Sequence, residues 1–216
     1  MKTQLSSKLE DQLCDLTKGS HANHWHRVLS VMEVHQTSRI PSGRSRKRMK
    51  TFDYDQRLAQ LGIDLPIPPR AYFNYVPTLI CGSHLYISGQ LSSRNGEPHH
   101  TGRLGENASL LSTKAAARQC GLNILAHVRN ACGGTLNRVI HCVRITGYVN
   151  ASPDCHEHAE ALDGCSDLMY EVFGDSGRHT RSCVGVRSLP LSALIEIDAI
   201  FEVRMEENGR LPVSSA

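Results

Sequence analysis

The sequence predicts an α/β (α+β) domain over residues 51–207: a mixed sheet with two long helices on one of its faces. Three observations carry this. Residues 109–132 and 156–173 repeat their apolar positions at helical spacing. Five shorter stretches have strand character, which gives the order β-β-α-β-α-β-β. In the last of them Ile195, Ile197, Ala199, Phe201 and Val203 face one way while Glu196, Asp198, Glu202 and Arg204 face the other.

In chain order, Asp53 to Leu61 is expected to be a short helix that Gly62 ends. Pro66, Pro68 and Pro69 then impose an extended connector. Phe73 to Ile80 and Leu85 to Ser88 read as strands joined by a turn at Cys81-Gly82-Ser83. A Gly-containing loop occupies Gln90 to Glu106. The helix Ser109 to Cys132 has Leu122, Leu125, Val128 and Cys132 on one stripe, with Leu111 and Ala115 extending it. Gly133-Gly134 stops that helix. Val139 to Val149 alternates, so that Val139, Val143, Ile145 and Val149 share a face. Pro153 breaks the strand, and a second helix runs from His156 to Phe173, ending at Gly174. Thr180 to Ser188 and Leu194 to Met205 are the last strands, linked by Leu189-Pro190-Leu191-Ser192. Helices on one face leave a polar face on central strands. Packing the sheets of several subunits together would hide it.

Charge is divided unevenly along the chain. Residues 1–50 hold ten Lys/Arg against four Asp/Glu, whereas residues 51–207 hold thirteen against seventeen. Tight binding to a nucleic-acid backbone needs clustered positive charge, which the domain lacks. Residues 1–48 are rich in Ser, His, Lys and Arg and end in Arg44-Ser-Arg-Lys-Arg-Met49. They are expected to form a disordered basic extension, and residues 208–216 a flexible tail. No apolar run approaches the roughly 20 residues of a membrane span, and no signal-peptide pattern opens the chain. The eight cysteines include no CxxC pair, and several lie in apolar runs such as Val139-Ile-His-Cys-Val143. Buried thiols in a reducing compartment account for them. A cytoplasmic location is therefore expected, with mitochondrial or nuclear targeting through the extension as the alternative.

An ordered series of motifs resembles one family. Asn74-Tyr75-Val76-Pro77, Leu85-Tyr-Ile-Ser-Gly-Gln90, Ala115-Ala116-Ala117-Arg118 with Leu122-Asn123, and Gly147-Tyr-Val-Asn150 come first. Thr180-Arg-Ser-Cys-Val184, Leu189-Pro190 and Ile195-Glu-Ile-Asp-Ala-Ile200 follow. Together they span almost all of 72–205 and are similar to the RidA/YjgF family, also called endoribonuclease L-PSP, with its chorismate mutase-like fold. The resemblance implies a homotrimer with ligand pockets between subunits. It implies hydrolysis of reactive enamines and imines, such as 2-aminoacrylate, to a keto acid and ammonia, with no metal or organic cofactor. Arg181 matches the arginine that grips the substrate carboxylate, Tyr75 a pocket tyrosine and Cys183 a pocket cysteine. The family glutamate that orients water falls at Asp198, and a helix asparagine falls near Ser166. Both positions depart from the family pattern.

Residue chemistry supports the same cluster. Arg181 and Cys183 are two apart on a strand and point the same way, with His179 if the strand extends that far. A guanidinium fork fits a carboxylate with two parallel contacts. A structural ion pair with Asp198 or Glu196 is the other use of Arg181, and a partnership with Arg144 or Arg204 the other use of Asp198. Imine hydrolysis asks for orientation and charge stabilisation rather than a nucleophile triad, and the chain has no GxSxG. A non-catalytic trimer that binds or senses small carboxylates would use the same arginine, and an endoribonuclease is the third alternative. Cys155-His156-Glu157-His158 lacks a second ligand pair at metal-binding spacing. Gly102-Arg-Leu-Gly105 lacks the Lys of a phosphate loop and reads as a turn.

Overall fold

The computed structural model describes residues 53–70, 73–94 and 97–205. The expectations for residues 1–48 and 208–216 lie outside the described residues. Ten elements follow one another: α1 (Tyr54–Gln60), β1 (Thr78–Cys81), β2 (His84–Leu91), β3 (Ser93–Arg94), β4 (Glu97–Pro98), α2 (Leu110–Ala131), β5 (Val139–Asn150), α3 (His158–Phe173), β6 (Thr180–Val186) and β7 (Ile195–Val203). The main sheet has the order β1-β2-β7-β5-β6. Only β5 and β6 pair in parallel; the other pairs are antiparallel. This is the mixed sheet expected from the sequence. No described helix is long and apolar enough to cross a membrane.

Sheet alternation sets the layers. Ile195, Ile197, Ala199, Phe201 and Val203 are all buried, while the even-numbered residues between them are half-buried. Their face packs beneath α2 and α3, with Ile124, Leu125 and Val128 from one helix and Leu162, Leu168 and Met169 from the other in the same core. Where the helices meet, a Cβ on Gly164 would overlap the backbone carbonyl of Lys114. Glycine is what lets α3 approach the α2 backbone so closely. Ser109 caps α2 by accepting from the Ser112 N–H at 3.2 Å, worth about 1 kcal/mol for such a cap. Asp53 caps α1 in the same way, accepting from the Gln56 N–H at 3.0 Å. Asp55 then ties α1 to the loop before β5, accepting from the Leu136 N–H at 3.1 Å and from the Thr135 hydroxyl.

Five sequence expectations change. The first strand begins at Thr78 rather than Phe73, because Pro77 has no N–H to give to a ladder. The stripe of α2 runs through Ala117, Cys120, Ile124 and Val128. Leu111 is 78% exposed and Ala115 also faces outward, so neither extends it. In β5 the buried set is Val139, Cys142, Ile145 and Val149. Irregularities near Val139/His141 and Cys142/Arg144 put Cys142 inward in place of Val143. Finally, α3 begins at His158, two residues late, and the loop after β2 holds a short β3–β4 hairpin that has too few residues to show a period.

The other face of the sheet is mixed rather than polar. Beside Glu196, Asp198 and Glu202 it presents Ile200, with Leu79, Tyr86 and Val184 at 60%, 42% and 49% exposure.

One buried polar group makes stability pH-dependent. His127 on α2 is buried, its Nε2 has no hydrogen-bond partner among the described residues, and burial lowers its pKa. The unfolded chain holds the ordinary value of about 6.5 and therefore binds the proton first on acidification. The stability that neutral His127 contributes is complete above that value and is lost as pH falls toward the lower folded-state value. Thermal melts should show Tm falling between pH 7.5 and 5.5, and the fall should shrink in His127→Leu. An equal fall in both proteins would assign the effect to other groups.

Candidate functional site

Apart from Asp198, the residues singled out in the sequence divide into two clusters. The first lies between β6 and α3. Ile145, a core residue, is the register partner of both Arg181 and Ala199. Arg181 and Cys183 therefore project to the helix side of the sheet. Arg181 Nη1 donates to Asp163 Oδ1 at 2.7 Å and to Ser166 Oγ at 3.2 Å. Asp163 and Ser166 are three residues apart on α3, which places them on one face. Lys114 Nζ lies 3.6 Å from the second oxygen of Asp163. Two cations around one carboxylate leave a unit of positive charge at this edge of the sheet. The outer edge of the guanidinium, Nε and Nη2, has no hydrogen-bond partner among the described residues. Arg181 does form an ion pair, but with Asp163 instead of Asp198 or Glu196.

His179 belongs to this cluster. Its Nδ1 is 2.7 Å from the Gly177 carbonyl and its Nε2 is 3.0 Å from Ser166 Oγ. A carbonyl can only accept, so Nδ1 carries the proton and Nε2 accepts from the Ser166 hydroxyl. Burial is the main reason the imidazole stays neutral, with nearby Arg181 adding to it against the Gly177 contact. Cys183 points inward: its thiol donates to the His158 carbonyl at 3.0 Å, and burial pushes its pKa up to about 11. A thiol so protonated is a poor nucleophile.

The second cluster is a groove of about 900 Å³, whose walls include Arg70, Phe73, Tyr75, Gln90, Leu191 and Glu196. Tyr75 is here, half exposed at 48%. Asp198 is not. It accepts from the Tyr148 hydroxyl at 3.1 Å, and Arg144 turns to Ser182 Oγ instead. Glu196, two residues earlier on the same face, takes the groove position. Burial, then the nearby Asp198 carboxylate, raise its pKa. A Cβ on Gly89 would overlap its carboxylate, so the irregularity in β2 between Ile87 and Gln90 brings bare backbone against Glu196. Alternation in β7 equates Glu196 with Asp198, and only this approach of β2 separates them. Asp163 and Lys114 were likewise missed; the i, i+3 spacing of Asp163 and Ser166 is the signal that could have found the first.

The clusters lie on opposite faces of one sheet, since Glu196 and Asp198 face away from the helices that hold Arg181. One chain therefore cannot bring Arg181 and Glu196 together. The Cys155-His-Glu-His158 segment does not gather ligands: Cys155 is buried, and the described residues contain no group of three or more His, Cys, Asp or Glu placed to hold a metal ion.

Residues 55–203 match the family described as "YjgF/chorismate_mutase-like, putative endoribonuclease". The chain belongs to this family. The YjgF/chorismate mutase-like assignment covers α1 through β7, so both clusters fall within it. Among its relatives is Protein TCP17 of Trypanosoma cruzi, 39% identical over 147 residues, which are 68% of this chain and 91% of that protein. A protein of unknown function from Agrobacterium tumefaciens has a similar structure, with a TM-score of 0.65 and 39% identity, over 70% of this chain and 94% of that one. A "putative endoribonuclease" from Shewanella oneidensis has a TM-score of 0.68 and 36% identity, over 70% of this chain and all of that one.

Proposed function

We propose that this YjgF-family protein hydrolyses reactive enamines and imines of the 2-aminoacrylate type to keto acids and ammonia, in pockets completed between the subunits of a homotrimer. The observation that carries this is the division of the site into two halves, each incomplete, on opposite faces of one sheet. Arg181 offers the open edge of its fork at one edge strand of the sheet. Glu196 offers a carboxylate in a groove on the other side. A ring of copies related head to tail would set the first against the second in each interface. Leu79, Tyr86 and Val184 supply apolar area on the sheet face that such packing would cover.

The chemistry needs little more. Arg181 fixes the substrate carboxylate, and fixing it orients the adjacent C=N carbon for attack by water. The iminium form is cationic, and the Glu196 carboxylate stabilises that charge where water is partly excluded. Purified protein supplied with enzymatically generated 2-aminoacrylate should release ammonia and pyruvate faster than the buffer control. Keto-acid binding without faster release would favour a non-catalytic carboxylate binder. Cleavage of RNA with no effect on 2-aminoacrylate would favour the nuclease alternative, against which the acidic balance of residues 51–207 speaks.

A further inference from the structure

The link between β6 and β7 carries a backbone cost that the fold itself does not explain. Leu191 and Ser192 both adopt left-handed backbone, with φ of 55° and 53°. Among the described residues, no other residue besides glycine has a positive φ. A Cβ makes this conformation unfavourable, and asparagine or aspartate tolerates it better than leucine does. Burial of the Leu191 side chain does not offset the cost, because that residue is 63% exposed. The link is fixed from behind instead. The Gly102 N–H donates to the Ser192 carbonyl at 2.9 Å, Asn150 Nδ2 to the Ala193 carbonyl at 3.4 Å and Arg103 Nη2 to the Arg187 carbonyl at 2.7 Å. Strain that the surroundings enforce in this way gathers at ligand sites.

Leu191 lines the same groove as Glu196, and Phe73, 82% exposed, stands on its wall as well. In a 2-imino acid the trigonal C=N carbon carries three substituents that diverge in one plane. On the hydrolysis proposed above, the carboxylate goes to Arg181 of one copy and the nitrogen to Glu196 of another. The side chain is the substituent left to lie along the groove. In 2-iminopropionate, the imine tautomer of 2-aminoacrylate, that side chain is a methyl group. A groove of about 900 Å³ is far larger than such a molecule needs, since clefts of roughly 300–1,000 Å³ hold drug-sized ligands. Resting on that reading of the site, we infer that Leu191 is a specificity-determining residue: its left-handed backbone presents an apolar side chain to the substrate's own, and the groove favours 2-imino acids whose side chains are large and apolar.

Charged groups on the same walls set what the groove rejects. Glu97 lines it together with Glu196. A second carboxylate on the substrate would meet two acids of like charge and an apolar wall. Arg70 is the cation on the walls and the rival determinant, because it would favour that second carboxylate. Apolar contact discriminates by amounts an assay can read: one methylene in a hydrophobic pocket changes kcat/KM by about 10–200-fold.

The test compares kcat/KM for 2-iminopropionate, the leucine-derived imine and 2-iminoglutarate, each formed in the assay by an amino-acid oxidase, in the wild type, Leu191→Asn and Leu191→Met. The wild type should favour the leucine-derived imine over 2-iminopropionate by about tenfold or more. Leu191→Asn removes the apolar contact and suits the left-handed backbone. That preference should fall about tenfold while Tm holds or rises by roughly 2–4 °C. Leu191→Met keeps both the apolar reach and the backbone cost, so it should keep the preference and the Tm, and it keeps the test open should Leu191→Asn fold poorly. A lower Tm in Leu191→Asn with an equal loss on every imine would make Leu191 a packing residue and overturn the inference. An unchanged preference in that variant, or a wild type with no preference for the leucine-derived imine, would overturn it too. A wild type that favours 2-iminoglutarate would give the choice to Arg70. All of these leave the hydrolysis standing. A wild type that speeds none of the three reactions removes the hydrolysis and the specificity together.

Discussion

Arg181→Ala is expected to abolish enamine and imine turnover and to weaken binding of small keto acids by roughly 1.5–3 kcal/mol, the range for a hydrogen bond to a charged group. The fold should survive. Asp163 keeps Lys114 at 3.6 Å when the guanidinium is gone, and Arg181 is itself 36% exposed. Arg181→Lys should rescue only in part, because an ammonium cannot bond Asp163 and Ser166 while offering a second flat edge to a carboxylate. Steady-state kinetics and calorimetric titration with pyruvate check both statements. Unchanged pyruvate affinity in a well-folded Arg181→Ala protein would leave Arg181 as a partner of Asp163 and nothing more.

Gly164→Ala should give the largest loss of stability from a single methyl group. The added Cβ meets the Lys114 carbonyl, which belongs to a helix backbone and cannot swing aside as a side chain would. The helices must move apart, and overpacking of this kind costs about 1–3 kcal/mol. In a domain of this size that is a fall of roughly 2–12 °C in Tm, read by calorimetry. The displacement would also carry Asp163 and Ser166 away from Arg181, so activity should fall more than the stability loss alone explains. An unchanged Tm would mean that α2 and α3 are less tightly apposed than the geometry indicates.

Much of this fold was legible because its signals are periodic. The alternation of Ile195 to Val203 is unbroken, and so the two faces of β7 were assigned correctly along its whole length. Irregularity is where reading fails. In β5 the alternation slips within one strand, so Cys142 and Val143 exchange faces without any change in composition. Leu111 looks like core by residue type, yet it lies on the outward side of the first turn of α2, whose Leu110 and Thr113 face the core instead. At the site, the shared side of Arg181 and Cys183 followed from strand period alone. The choice of Glu196 over Asp198 did not. It depends on Gly89, more than a hundred residues earlier, lying against one carboxylate and not the other. The pairing of Arg181 with Asp163 is also a product of packing between α3 and β6, which no local pattern encodes.

The central claim is that each pocket takes Arg181 from one copy and Glu196 from another, and subunit mixing tests it most directly. Arg181→Ala and Glu196→Gln should each be inactive alone. Unfolded together in equal amounts and refolded, they form mixed rings in which some interfaces pair an intact Arg181 with an intact Glu196. Random assembly makes about a quarter of interfaces intact, so activity should return to about a quarter of that of wild type refolded in the same way. If the mixture stays as inactive as its components while the refolded wild type recovers, the two residues do not share a pocket across subunits.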